Sequence, residues 1–485
     1  MIFLNQLMKQ NFQKNLFLLL FLNLLIKPLW ILGIDRVVQN RIGEESYGLY
    51  FSLMSMAMVL GILQDLGLST FTNRHIAQNA HLFKGYFPKL LGLKIVLAIS
   101  SFVVLYGIGL ALGYGGEGKT LLFFVLLNQT LLSFILFVRS NLGALHLFKK
   151  DSIISVLDRA LLIVVCGIFL YFPIYSDGFT LMQFVLAQTA GYGLTLLVGL
   201  IFLLSGKAKF SIKFSLPFSV SIFNAALPFA LLFFLMYLYT RMDAIMVERL
   251  HPEGAFQTGI YAKGFRILDA VNMFSYLFSV ILLPAVARLI KQKVNISDIA
   301  EEFSRLLIFP LVVGTVCLVL YHEKFMDLLY LGSSEYQNLV FVLIILNIVP
   351  MGLVYIFGTI LTAGEKLKAL NTIAASGLMV NLILNFILIP IYGALGAAVA
   401  TIFTQGITSI VQVYFAFKQF KISFSSSFKF QSITFFVVFG LVGWLIYAAN
   451  FHVEVKILAT LLFGGIYLLA SKTIKIQSVK SIAET

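Results

Sequence analysis

Apolar residues run along this chain in long, unbroken stretches separated by short polar ones. The stretches fall at 16–34, 47–68, 90–113, 120–142, 153–173 and 180–204, then at 220–241, 259–287, 303–321, 336–363, 369–390, 394–417, 432–450 and 455–471. Most approach or exceed the roughly 20 residues that an α-helix needs to cross a bilayer core. None shows the apolar–polar alternation over about ten residues that marks a strand of a membrane barrel. The pattern predicts an all-α integral membrane protein with about 14 transmembrane helices. The first stretch lacks a small-residue cleavage site after it, so it reads as a retained helix.

Composition agrees. Of 485 residues, 60% are hydrophobic and 12% charged, with a mean hydropathy of +0.96. An ordinary soluble domain carries about 45–50% apolar and about 25% charged residues. Lysine and arginine number 35 against 21 acidic residues, a formal net charge of +14. With the N-terminus placed inside, alternate loops on that side carry 22 lysines and arginines, and the opposite loops carry seven: Arg36, Arg41, Lys119, Arg241, Arg249, Lys324 and Lys456. That bias is the positive-inside pattern and puts both termini in the cytoplasm. The excess charge is thereby explained without a nucleic-acid partner. Cys166 and Cys317 both sit in apolar runs and have no metal-ligand spacing.

The loops are short, which leaves no room for an inserted catalytic domain. The sequence contains no Walker loop, no H-E-x-x-H and no G-x-S-x-G. A carrier, a channel or an enzyme built from residues within the spans remains.

One internal repeat is visible. Asp35, Arg41-Ile42, Glu45 and Gly48-Leu49-Tyr50 recur as Asp243, Arg249-Leu250, Glu253 and Gly259-Ile260-Tyr261, an offset at the aspartates of 243 − 35 = 208 residues. Six spans separate the copies, so the halves run in parallel orientation. This predicts two parallel six-helix bundles related by a pseudo-two-fold along the membrane normal, plus two C-terminal helices. The corresponding regions are 1–219, 220–417 and 418–485.

Ionisable groups at membrane depth cost a few kcal/mol each on insertion scales, about 2.5–3.5, and tend to face a cavity or a partner. Span 8 carries Lys263, Arg266 and Asp269 at a spacing of three, near one helical stripe. Two cations there suit a diphosphate, with the guanidinium forking onto phosphate oxygens. Asp269 either orients Arg266 or takes a coupling proton. The competing reading is a local ion pair near the interface, with the lysine snorkelling. Lys27 precedes Pro28, which makes it a cavity cation on a kinked span or a packed lysine reaching the surface. Asp65 reads as a coupling-ion carboxylate or as the end of a helix in an Asp-Leu-Gly turn. Arg139 and the Asp158-Arg159 pair lie toward span ends and read first as an interfacial ion-pair cluster, second as cavity cations. Lys94 is a further cation within span 3, and His81 falls in a basic loop.

Several segments resemble bacterial polysaccharide transporters of the multidrug/oligosaccharidyl-lipid/polysaccharide exporter superfamily. Arg41-Ile42-Gly43-Glu44-Glu45-Ser46-Tyr47-Gly48-Leu49-Tyr50 is similar to their first outer-loop signature. Asp65-Leu66-Gly67-Leu68 and Asn73-Arg74-His75-Ile76-Ala77 follow the end of their second span. Arg241-Met242-Asp243, Gly259-Ile260-Tyr261-Ala262 and Pro284 fit spans 7 and 8. Asn381, Asn385-Phe386, Pro390, Gly393 and Gly396-Ala397-Ala398-Val399-Ala400-Thr401 fit spans 11 and 12.

The resemblance implies a flippase of the bacterial inner membrane. Its cargo would be undecaprenyl-diphosphate-linked oligosaccharide for O-antigen, capsule or exopolysaccharide, moved by alternating access without covalent chemistry or a cofactor. A proton or sodium gradient would drive it, and a polysaccharide polymerase and a chain-length regulator would be its partners. The cavity cations would be Lys27, Lys263 and Arg266. The Arg-Asp motif of the lipid II subfamily stands here reversed, as Asp35-Arg36, which points away from lipid II as cargo. A multidrug antiporter would want an acidic cavity for cationic drugs, whereas the buried charges here are mostly basic. A membrane-embedded glycan polymerase or ligase would need a larger outer loop than 242–258.

Overall fold

The computed structural model describes residues 21–69, 72, 83–116, 118–172, 178–205 and 211–470. The first 20 residues, Arg74, His81, Lys207, Lys209 and the tail beyond 470 lie outside the described residues. Among those described, a long helix occupies each of the fourteen apolar runs. They are α1 (21–42), α2 (44–64), α3 (Phe83–Ala111), α4 (Gly118–Ala144), α5 (Phe148–Tyr171), α6 (Leu181–Leu204), α7 (Leu216–Leu250), α8 (Gly254–Lys291) and α9 (Ser297–Leu320). After the short α10 (His322–Leu329) come α11 (Glu335–Ala363), α12 (Leu367–Tyr392), α13 (Ala394–Phe420), α14 (Ser426–Ala448) and α15 (Val453–Ala470). Eleven helical segments, with 21–64 counted as one, are long and apolar enough to cross a membrane. The protein is a multi-pass membrane protein. Its exposed surface is correspondingly apolar, with residues such as Val103, Leu197, Phe386, Ile410 and Trp444 each more than half exposed.

The first two spans differ from the expected loop at 35–46. The chain stays helical through Asp35 and Arg41 and reverses at Gly43 alone, where φ is +80° and ψ is 168°. The reversal is proved by contacts that a straight helix forbids. Tyr47 Oη donates to Asp35 Oδ2 at 2.8 Å, although twelve residues of straight helix span about 18 Å. Trp30 and Tyr50 likewise meet the same ring, Phe184. The connection between α7 and α8 is also shorter than the sequence suggested, only 251–253.

The chain forms two compact units, 1–259 and 260–485. The first therefore includes α7 and the opening residues of α8. The reason lies in α2, where a methyl group at Gly48 would collide with the Ala255 carbonyl oxygen and one at Gly259 with the Glu44 carbonyl. The glycines that recur in the sequence repeat are thus the ones that let these two helices touch backbone to backbone. Tyr47, Phe51, Phe83, Phe87, Phe137 and Phe184 fill the first unit's core. In the second unit Tyr261, Phe303, Phe341 and Phe357 do so; α14 packs there through Phe435 on Phe309, and α15 through Tyr467 on Phe435.

Candidate functional site

Charges concentrate in the first unit around α1. Pro28 donates no N–H to the helix ladder, and just beyond it α1 widens into one π turn at Trp30–Asp35. Such turns are frequent at functional sites. Lys27 and Trp30 lie one turn apart on the same face. Trp30 stacks on Phe184 of α6 with centroids 6.0 Å apart. From α5, the Arg159 guanidinium sits 5.5 Å from the centroids of both Trp30 and Tyr192. It donates to Tyr192 Oη at 2.7 Å, and its Nε lies 3.7 Å from Asp158 Oδ2. Arg139 of α4 donates to Asp151 Oδ1 at 2.7 Å. Lys27 lies within the electrostatic reach of Arg139, Arg159 and Asp158. Asn23 Nδ2 donates to Ser155 Oγ at 3.0 Å and fastens α1 to α5.

Lys27 on α1 thus lies in the electrostatic field of two arginines on α4 and α5, each paired with a carboxylate, Asp151 or Asp158. The Arg139 and Arg159 side chains keep 25% and 24% of their surface open. Each arginine is oriented by a neighbour and still presents N–H groups, an arrangement suited to an anion with several oxygens. Lys27 stands more than a hundred residues before either arginine, so helical periodicity carried no sign that they come near one another.

Asp65 is engaged locally and across helices. It accepts from Ser69 Oγ at 2.6 Å and from Ser69 N at 3.2 Å, and it lies 3.5 Å from Lys94 Nζ. Lys94 is fully buried and also donates to the Gln64 carbonyl at 2.9 Å and to Ser133 Oγ at 2.6 Å.

In the second unit, Lys263 is 2% exposed. Its Nζ donates to Gln337 Oε1 at 2.9 Å and lies 5.2 Å from the Tyr330 ring, whose hydroxyl donates to the Lys263 carbonyl at 2.9 Å. Arg266 Nη1 stands 3.9 Å from Asp269 Oδ2 on the next turn, with both side chains partly open. The stripe therefore divides, with Lys263 packed against Tyr330 and Gln337 and Arg266 paired with Asp269.

A second polar cluster in the first unit was not singled out from sequence. Tyr114, between α3 and α4, donates to Glu248 Oε2 at 2.6 Å. Arg249 donates to Tyr114 Oη at 3.1 Å and to the Leu112 carbonyl at 2.6 Å, and it covers the Tyr114 ring at 3.7 Å. Glu248 also pairs with Arg249 Nε at 2.7 Å. Burial and the Glu248 charge push the Tyr114 phenol up to about 12. Arg249 belongs to the sequence repeat, which was the one available signal.

A family model described as polysaccharide biosynthesis protein matches residues 12–290, more than half of the chain. The chain belongs to this family. The matched region contains Lys27, Arg139, Arg159, Lys263 and Arg266. An uncharacterized membrane protein of Methanocaldococcus jannaschii is 25% identical over 390 residues, covering 77% of this chain and 90% of that protein. The capsular polysaccharide biosynthesis protein CapF of Staphylococcus aureus is 29% identical over 203 residues, 40% of this chain and 49% of CapF. Among solved structures, the lipid II flippase MurJ in an inward closed conformation superposes with a TM-score of 0.67 at 15% identity, covering 96% of this chain and 99% of MurJ. An inward-facing multidrug resistance transporter of the MATE family superposes with a TM-score of 0.58 at 14% identity, covering 82% and 94%. The fold is thus like that of MurJ and of this MATE transporter.

Proposed function

We propose that this protein translocates polyprenyl-diphosphate-linked oligosaccharide across the cytoplasmic membrane, for assembly of a surface polysaccharide. The observation that carries this reading is the gathering of Lys27, Arg139 and Arg159 on α1, α4 and α5 in a chain of the polysaccharide biosynthesis family. A diphosphate offers several oxygens to such a group. Trp30 and Tyr192, both buried, hold the Arg159 guanidinium between their rings and so fix it in place beside the other cations. Lys263 and Arg266 are the second unit's candidate cations, with Asp269 orienting Arg266. The cargo's polyprenyl tail stays in lipid while the protein alternates between inward and outward openings. A proton or sodium gradient drives the cycle, with Asp65 a candidate coupling carboxylate. Both termini face the cytoplasm, and a polymerase with its chain-length regulator receives the cargo outside.

The test is leaflet-resolved analysis of lipid-linked sugars in cells depleted of the protein. Single repeats trapped in the cytoplasmic leaflet are expected, and their mass identifies the cargo. Repeats that reach the outer leaflet unpolymerised would reassign the protein to polymerisation, and unchanged lipid-linked sugars would shift the assignment to drug or ion antiport. A Lys27→Ala, Arg159→Ala variant should insert normally yet lose transport. Lys263→Ala with Arg266→Ala tests the second unit in the same way.

A further inference from the structure

A cavity of about 600 Å³ opens between α12 and α13 in the second unit, within the roughly 300–1,000 Å³ of ligand sites. Small residues create it, since Ser376 and Gly377 on α12 leave a gap that Ile407, Val411 and Phe415 of α13 do not fill. Its wall is more apolar than its sequence. Thr372, Thr404 and Thr408 each line it, yet their hydroxyls donate back to the carbonyls of Lys368, Ala400 and Thr404 at 2.9, 2.7 and 2.9 Å. These threonines are therefore satisfied within their own helices, so a sugar would find few partners along this wall. Charge is confined to one end, where Lys366 and Lys368 stand at the rim with Glu365. Lys418, over the Tyr414 ring at 5.9 Å, stands near the C-terminal end of α13, beside the start of α12. Flanking residues on the same helices, Met379, Ile383, Ile410 and Tyr414, are 55–67% exposed, the surface of helices bathed in hydrocarbon.

We propose that this cleft is a lipid site, occupied by one anionic glycerophospholipid with its phosphate on Lys366 and Lys368 and an acyl chain against Ile407, Val411 and Phe415. An apolar slot whose charged end carries two lysines against one glutamate favours an anionic headgroup over a zwitterionic one. Basic pockets between spans on the cytoplasmic side are known to select anionic headgroups. The site is separate from the cationic cluster on α1, α4 and α5, and it does not depend on which cargo the protein carries.

Native mass spectrometry of the purified full chain tests the proposal, with dioleoylphosphatidylglycerol and dioleoylphosphatidylcholine as probes. One phosphatidylglycerol should be retained in preference to phosphatidylcholine. Lys366→Gln and Lys368→Gln should each weaken it about fivefold, the factor carried by one lysine near an anionic surface. Ser376→Phe should abolish retention by filling the slot, whereas Lys324→Gln, a lysine elsewhere in the unit, should leave it unchanged. Equal retention of the two lipids, or indifference to the lysine variants, overturns the proposal. So does displacement of phosphatidylglycerol by equimolar undecaprenyl phosphate, which would make the cleft a cargo site. The lysine variants lie at the exposed rim and remain decisive if Ser376→Phe fails to fold.

Discussion

At the scale of single residues, the cations of the first unit are held in different ways. Lys94 has its ammonium spread over Asp65, the Gln64 carbonyl and Ser133. Removing one member of such a set leaves the others desolvated, at a typical cost of about 3–5 kcal/mol. Lys94→Ala should therefore lower the thermal unfolding temperature in detergent by several degrees. Lys27→Ala, at a part-exposed cation, should barely move it. A similar loss for both would mean that Lys27 is also structural.

Tyr114 adds a pH dependence outside the spans. Its phenol ionises at about 12 in the fold, against an ordinary value near 10. Folding thus favours the protonated hydroxyl that donates to Glu248. This contribution is complete below pH 10 and disappears as pH rises through about 12. The difference in stability between the wild type and Tyr114→Phe should be constant up to about pH 10 and shrink above it. Denaturation followed by tryptophan fluorescence across that range would show a flat difference if the shift is absent.

At the scale of elements, glycine does two separate jobs around α2. Gly43 turns the chain with φ +80°, and nothing surrounds the place where its Cβ would stand. Gly48 has ordinary helical geometry, but the Ala255 carbonyl occupies the Cβ position. Gly43→Ala should therefore cost backbone strain alone, about 1–3 kcal/mol. Gly48→Ala must push α2 away from the start of α8 and should be the more harmful of the two. Thermal stability of both purified variants decides this, and the reverse order would refute the assignment. The helices themselves were legible from apolar run length. Their precise joints were not, because Asp35, Arg36 and Arg41 look like loop residues to any hydropathy argument. Asp35 can stay helical and buried because Tyr47 satisfies it from the returning helix.

At the scale of the whole molecule, the sidedness read from loop charges is open to direct measurement. Lys119 and Lys149 are exposed at opposite ends of α4, one just inside its start and the other beyond its end. Cys166 and Cys317 are buried and should stay silent toward labels. Lys119→Cys should react with a membrane-impermeant maleimide added to intact cells, and Lys149→Cys only after permeabilisation. The opposite result would invert the topology. The sequence alone determined the membrane setting, the helix count and the family resemblance, because long apolar runs and loop charges are local properties that a bilayer reads directly. Even the 208-residue repeat announced its glycines, though not that Gly48 and Gly259 would face one another's helices. Tertiary structure alone decided which charges meet. It brought Lys27 within the field of Arg139 and Arg159 and packed Lys263 against Gln337 and Tyr330. Periodicity places a residue on a face of its own helix, and only packing decides what that face meets.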